Sequence, residues 1–198
     1  MKPAKLNLAC GNRHRDGFWN VDSAPGCRPD EIADVLEPAW WDAQPDDTYE
    51  EVVIEHFLEH IPHQIPDRHG WGSVIRIEQD GLIWFLEHVY RVLKPGGKLE
   101  VAIPHHQCHA AYSDPTHCRF LTQHTFGYFD AVLRRRRGHG HYQIQTDLEL
   151  LTDMQLGFLD HVQVKTLTAG NVDEIMRDHW NVAWEERHWM IARKPPRE

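Results

Sequence analysis

The chain lacks paired cysteines. Its four, Cys10, Cys27, Cys108 and Cys118, are scattered through 198 residues with no CxxC among them. A chain of this length buries a core without covalent staples, so reduced thiols in a cytoplasmic setting are expected. No apolar run approaches the ~18 residues of a membrane span, so no membrane role is expected. The opening MKPAKLNLACG has no long apolar stretch, and no secretory signal is read in it. Positive charge is also short: the formal net charge is −9, which argues against a protein whose main work is gripping a nucleic-acid backbone. Glycine is sparse where a nucleotide-binding turn would use it, with Gly11 alone beside Ala9 and Cys10. Internal repeats and a composition break are missing too, so one domain spanning 1–198 is expected. Histidine, by contrast, is abundant, with sixteen copies.

The hydrophobic pattern reads as alternating strands and helices. Leu6-Asn7-Leu8 alternates and runs into the small residues Ala9-Cys10-Gly11, a short buried strand ending in a turn. Trp19–Asp22 reads as a second strand ending in a carboxylate. The crossover between them is short, so its helix should be stunted, about one turn within 13–17. Glu31–Leu36 holds a third strand, and 38–47 is loop or short helix with Trp40 and Trp41 at a core edge. Tyr49–Ile54 is a buried β-branched strand. The stretch 62–80 is an extended loop, and Gly81–Leu93 has the spacing of a helix with one wide apolar face. Lys94-Pro95-Gly96-Gly97 ends that helix, and 98–103 is the next strand. Leu121–Leu133 reads as helix with Thr122 near its start. Arg134–Arg137 begins a basic loop. The sixth strand is either 142–151 or 157–167, 172–180 is a short helix, and Ala183–Ala192 is the final strand.

An acid at the tip of the second strand is where an open α/β sheet holds ribose hydroxyls. The 20-residue spacing of dinucleotide fingerprints points instead to Asp30 or Glu31. With L-N-L-A-C-G, this acid, Glu55-His56-Phe57-Leu58-Glu59-His60-Ile61 after the fourth strand, and R-V-L-K-P-G-G before the fifth, the chain resembles the class I S-adenosylmethionine (SAM)-dependent methyltransferases. Asp114-Pro115-Thr116-His117-Cys118-Arg119-Phe120 adds a resemblance to a subgroup of small members with a DPTHxRF stretch. The resemblance implies a Rossmann-like fold: a mostly parallel seven-stranded sheet with an antiparallel last strand and helices on both faces. It implies SAM as cofactor, with Asp22 on the ribose, Asp34 and Val35 on the adenine, and Glu55 or His56 beside the methionine portion. The turn Ala9, Cys10, Gly11 would offer N–H donors to the carboxylate, like an anion nest at a helix start.

Methyl transfer needs a base only if the acceptor must lose a proton. His117 and His56 are the catalytic candidates, set against a structural hydrogen-bonding role, which is the favoured reading for each. The loop 104–120 is expected on the acceptor side, with His105, His106, Tyr112 and Arg119 as substrate-binding candidates. Alternatively, Asp114 and Arg119 pair to brace it. The acceptor is not identified by the sequence; a small molecule, sugar or nucleotide-like compound is expected, with nucleic acid possible through Arg134–Arg137 but not favoured. Two other readings stand beside this one: a SAM-binding protein without turnover that serves a partner, and a zinc hydrolase through the H-x-x-E-H pattern His56–His60. The cluster His105, His106, Cys108, His109, His117, Cys118 lacks regular ligand spacing, and no residue is assigned to a metal.

Overall fold

The computed structural model describes residues 2–65, 79–158 and 180–197. Most of the loop 62–80, the strand reading 157–167 beyond Phe158 and the helix reading 172–180 lie outside the described residues. Seven strands form one sheet: β1 (Lys5–Leu8), β2 (Trp19–Asp22), β3 (Glu31–Ile32), β4 (Tyr49–Glu55), β5 (Leu93–Pro104), β6 (Leu148–Phe158) and β7 (Ala183–Ala192), in the order β3-β2-β1-β4-β5-β7-β6. β1 to β5 are parallel, and β7 runs antiparallel between β5 and β6. β6 thus begins inside one of the two segments expected from the sequence and ends at the edge of the other.

The helices are α1 (Pro38–Asp42), α2 (Gly81–Val92), α3 (His109–Ser113), α4 (Gln123–Phe126) and α5 (Ala131–Arg136). The core follows the strand alternation. Leu6, Leu8, Val52, Ile54, Leu99, Val101 and Ile103 share one cluster with Trp41 of α1, Phe85, Leu86 and Val89 of α2, and Phe126 of α4. Asp80 caps α2, accepting from Leu82 N at 2.9 Å. Gly81 is obligatory at that start, because a Cβ there would lie 2.2 Å from the carbonyl oxygen of Pro62. Thr122 opens α4 with a reciprocal capping box. The single helix expected over 121–133 is two, since Asp130 accepts from Val132 N and Leu133 N and starts a new one. Arg134, expected in a basic loop, is a buried residue of α5 that donates to the carbonyls of Tyr128, Ile144 and Thr146. The Lys94–Gly97 turn lies within β5, bulged out between the pairs Tyr49–Leu93 and Glu51–Lys98.

The stunted helix expected within 13–17 does not form. Asn7 and Asn20, buried on the sheet, take the backbone groups that a helical turn would need: Asn7 Nδ2 donates to Arg13 O, and Arg15 N donates to Asn20 Oδ1. A loop therefore covers this crossover, and Arg15 reaches from it over the sheet.

Burial has a pH consequence in α2. His88 stacks on Trp41 and sits edge-on to Trp84, with ring centroids 5.2 and 4.5 Å away. Burial, reinforced by the charge of Arg91, lowers its pKa from 6.5 to about 4. The unfolded chain binds the proton first, so this contribution is complete above pH 6.5 and is lost as pH falls through about 4. A loss on the order of 2–3 kcal/mol is expected. Denaturant titrations at several pH values should show a flatter acid limb for His88→Phe; parallel profiles for parent and variant would refute the assignment.

Candidate functional site

In this strand order the connections reverse direction between β1 and β4, and ligands of open α/β sheets bind at the carboxyl ends of strands beside such a reversal. A cavity of about 230 Å³ lies there, lined by Ala9, Asp22, Ser23, Ala33, Asp34, Val35, His56 and Phe57. Ala9 follows β1 and His56 follows β4, and both hold left-handed backbone, with φ of 50° and 53°. Such conformations are costly for residues with a Cβ and cluster at functional sites. A larger hollow of about 530 Å³ is lined by residues of α5 and β6 with Arg197. Its Glu149 pairs with Ile191, which pairs with Lys98 at the opposite end of β5, away from the reversal.

Asp22 is held ready at the end of β2. Its Oδ2 accepts from Gly11 N and its Oδ1 from Ala24 N, both at 2.8 Å. A carboxylate has about four acceptor positions, so two bonds do not saturate it. The rival acids are committed elsewhere. Asp30 accepts from Asn20 N and Nδ2, bonds that hold its carboxyl below the usual range. Glu31 accepts from Lys2, Trp19 and Trp40. Asp34 Oδ1 accepts from Leu36 N at 2.9 Å, and Val35 is buried at the cavity wall.

Three expected cofactor residues do not line the cavity. The N–H of Cys10 donates to Val21 O and that of Gly11 to Asp22, so two of the three donors expected for an anion are engaged within the fold, and no helix follows them. Burial, with the charge of Asp22 nearby, raises the Cys10 thiol to about 11. Glu55 enters an ion-pair network on the sheet, 3.1 Å from Arg15 and 2.6 Å from Arg187. Glu100 joins the same two arginines. His56 does line the cavity. Its ring stacks on Trp184, and its Nε2 lies 2.7 Å from Glu185 Oε2. Burial opposes protonation there, but the hydrogen bond to Glu185 and the neighbouring carboxylate of Glu59 outweigh it and raise the His56 pKa.

On the expected acceptor side, two assignments change. The guanidinium of Arg119 donates to the carbonyls of Ile61 and Pro62 and pairs with Asp80 at 3.0 Å, leaving its side chain 8% exposed and unable to clamp an acceptor. Asp114 pairs not with Arg119 but with Thr116, through its backbone N–H and its hydroxyl. His117 lies outside the cavity, its Nδ1 donating to Ala111 O and its ring edge-on to His60. His105 is buried, its Nδ1 accepting from Gln107 N, and burial lowers its pKa. His106 packs against it at 4.4 Å. Tyr112 is exposed and stacks on Phe120, with Trp180 5.9 Å away.

The H-x-x-E-H reading fails on geometry. Leu58–His60 is a 3-10 turn and His56 has left-handed backbone, so His56 and His60 do not share the face of an α-helix. Sequence reasoning missed Ser23, Ala33 and Phe57 on the cavity wall. It also missed Trp184 and Glu185 behind His56, which only the pairing of β7 with β5 brings near. Among the described residues no helix is long and apolar enough to cross a membrane.

No protein-family model and no curated protein matches the chain by sequence. Solved structures do match it in shape. A SAM-dependent methyltransferase from Archaeoglobus fulgidus aligns over 96% of this chain and 86% of its own, with 13% identity and a TM-score of 0.58. A chain from the Haloferax volcanii complex between the Trm112 methyltransferase activator and a proposed methyltransferase aligns over 100% of this chain and 86% of its own, with 13% identity and a TM-score of 0.52. At such identity the likeness is one of fold, and with the strand order it gives the conclusion that this chain has the Rossmann-like fold of the class I methyltransferases.

Proposed function

We propose that the chain binds SAM in the cavity between the ends of β1 and β4 and transfers its methyl group to a small-molecule acceptor. The observation that carries this reading is the meeting of Asp22, Asp34, Val35 and His56 around one cavity at the reversal of the sheet. The residues fit the group. Asp22 has acceptor capacity left for ribose hydroxyls, Val35 and Phe57 offer apolar contact, and Asp34 suits an exocyclic amine. The cavity is smaller than the roughly 300 Å³ at which ligand pockets begin, so it suits the adenosine portion, with the remainder along its opening past His56. When bound, SAM would supply an electrophilic methyl group. The chain would contribute alignment of the two reactants and exclusion of water. His56, braced by Glu185 and Trp184, serves as a positioning wall.

A second reading, SAM binding without turnover in the service of a partner, draws on the exposed aromatic group Tyr112, Phe120 and Trp180, which are 49%, 55% and 59% exposed. The Haloferax volcanii structure is itself a complex with an activator. Calorimetry with SAM, followed by transfer of a labelled methyl group across a panel of hydroxyl, amine and carboxylate acceptors, separates the two. Binding with no product in any arm favours the second; no binding removes both. Ala33→Phe is a sharper probe, because Ala33 lines the cavity and is only partly buried where it packs against the core. We expect SAM affinity to fall more than about tenfold, well beyond any change in Tm, which is measured alongside. Unaltered affinity would put the cofactor elsewhere.

A further inference from the structure

We propose that Glu59, His60 and His117 form a binding site for a divalent transition metal of the zinc class. Each can place one ligand atom within 4.8 Å of the others. Two ligands about 2 Å from one tetrahedral ion would be roughly 3.3 Å apart, so small side-chain adjustments close the set.

The carboxylate of Glu59 is the independent observation. Its side chain is 3% exposed, and neither oxygen has a hydrogen-bond partner among the described residues. The nearest opposite group is His56 Nδ1, 3.5 Å from Oε1. A buried carboxylate that makes no hydrogen bond and faces only a histidine ring at 3.5 Å is poorly compensated, and a metal cation would complete its pairing.

The two histidines are held in the tautomer that ligation needs. His117 Nδ1 lies 2.9 Å from Ala111 O. A carbonyl only accepts, so Nδ1 carries the proton and Nε2 the lone pair. Thr116 gives its one hydroxyl proton to Asp114 Oδ1, 2.6 Å away, so its oxygen accepts from His60 Nδ1 at 3.0 Å. That again leaves Nε2 as the ligand atom. Outer partners of this kind orient ligating histidines. The backbone is clamped as well: the N–H groups of Cys118 and Arg119 both donate to Glu59 O, which ties the turn after β4 to the loop after β5. The site is thus built without needing the ion to assemble it, and three protein ligands leave a position for water or an acceptor atom.

A second group, His105, His106 and Glu186, is equally compact. There His105 Nδ1 accepts from Gln107 N, so its Nε2 carries hydrogen and offers no lone pair. The donor set of the first group is therefore the better one.

The test uses the full chain, stripped with chelator and titrated with Zn²⁺ by calorimetry and with Co²⁺ by visible absorption. One ion per chain, cobalt d–d bands and a raised Tm are expected. Thr116→Val should weaken binding by roughly 10- to 100-fold, the scale of losing an outer partner, and Glu59→Gln and His117→Ala by more. His105→Ala should bind like the parent. Absence of saturable uptake by the folded, stripped chain overturns the proposal. So does uptake undiminished in both Glu59→Gln and His117→Ala, or abolished by His105→Ala alone. Thr116→Val keeps the test decisive if a ligand variant fails to fold, since it leaves all three ligands in place. None of these readouts requires methyl transfer.

Discussion

Asp22→Ala is expected to weaken SAM binding at least tenfold. Hydrogen bonds to a charged acceptor contribute about 1.5–3 kcal/mol each. A tenfold change is only about 1.4 kcal/mol, so loss of a single ribose contact reaches it. The structure adds a second contribution. Asp22 accepts from Gly11 N and Ala24 N, and both donors lose their partner in the alanine variant. The turn after β1 and the loop after β2 would then loosen where the cofactor enters. Asp22→Asn separates the two effects, because its one remaining oxygen can still accept from a backbone N–H while the charge is gone. We expect Asp22→Asn to keep most of the Tm and lose most of the affinity, and Asp22→Ala to lose both. Calorimetry that finds parental affinity in both variants would remove Asp22 from the site and, with Asp30 and Glu31 already engaged, remove the cofactor reading.

Arg187→Met is expected to cost about 3 kcal/mol or more of stability. Arg187 lies on β7 between Glu55 of β4, Glu100 of β5 and Glu185 of its own strand. The side chains of these acids are 11%, 13% and 10% exposed, so removing the arginine leaves carboxylates that water reaches poorly. Arg15 still pairs with Glu55 and Glu100, which keeps the loss from being larger. The pH dependence gives the check. Burial pushes the Glu100 carboxyl up, but hydrogen bonds from Arg15 and Arg187 outweigh it and hold the pKa below 4.5. A depressed acid adds stability above its unfolded pKa, and that stability is lost as pH falls through the folded value. Without Arg187 the depression shrinks, so the stability gap between parent and variant should narrow on acidification. Denaturant titrations at neutral and acidic pH measure it. A gap that stays constant, or a variant as stable as the parent, would mean that the network is neutral. Adding Glu100→Gln to Arg187→Met should recover part of the loss.

Much of the fold was legible because its signals are local. The alternation in Leu6–Leu8, the β-branched run in Tyr49–Ile54, the apolar face of Gly81–Leu93 and the strand Ala183–Ala192 all depend on neighbours a few residues away, and all four segments form within one residue of the reading. Asp22, Asp34, Val35 and His56 were legible for a related reason. Each follows a strand or ends one, and the parallel order carries strand ends to one edge of the sheet. The missing turn of helix at 13–17 was not legible, because Asn7 and Asn20 compete for its backbone groups from two different strands.

The amino-acid sequence by itself determined the layers, the strand ends and the acids available to a nucleotide-like ligand, since period and turn chemistry are properties of short segments. Only the tertiary structure decided what each charged side chain faces. It turned Glu55 toward Arg15 and Arg187, locked Arg119 onto carbonyls after β4, buried Arg134 in α5, and brought Glu59 and His60 beside His117 from a loop distant in the chain. The physical reason is range: hydrophobic period acts through adjacent turns and strands, whereas a buried charge is satisfied by whichever partner the assembled sheet places within a few ångströms.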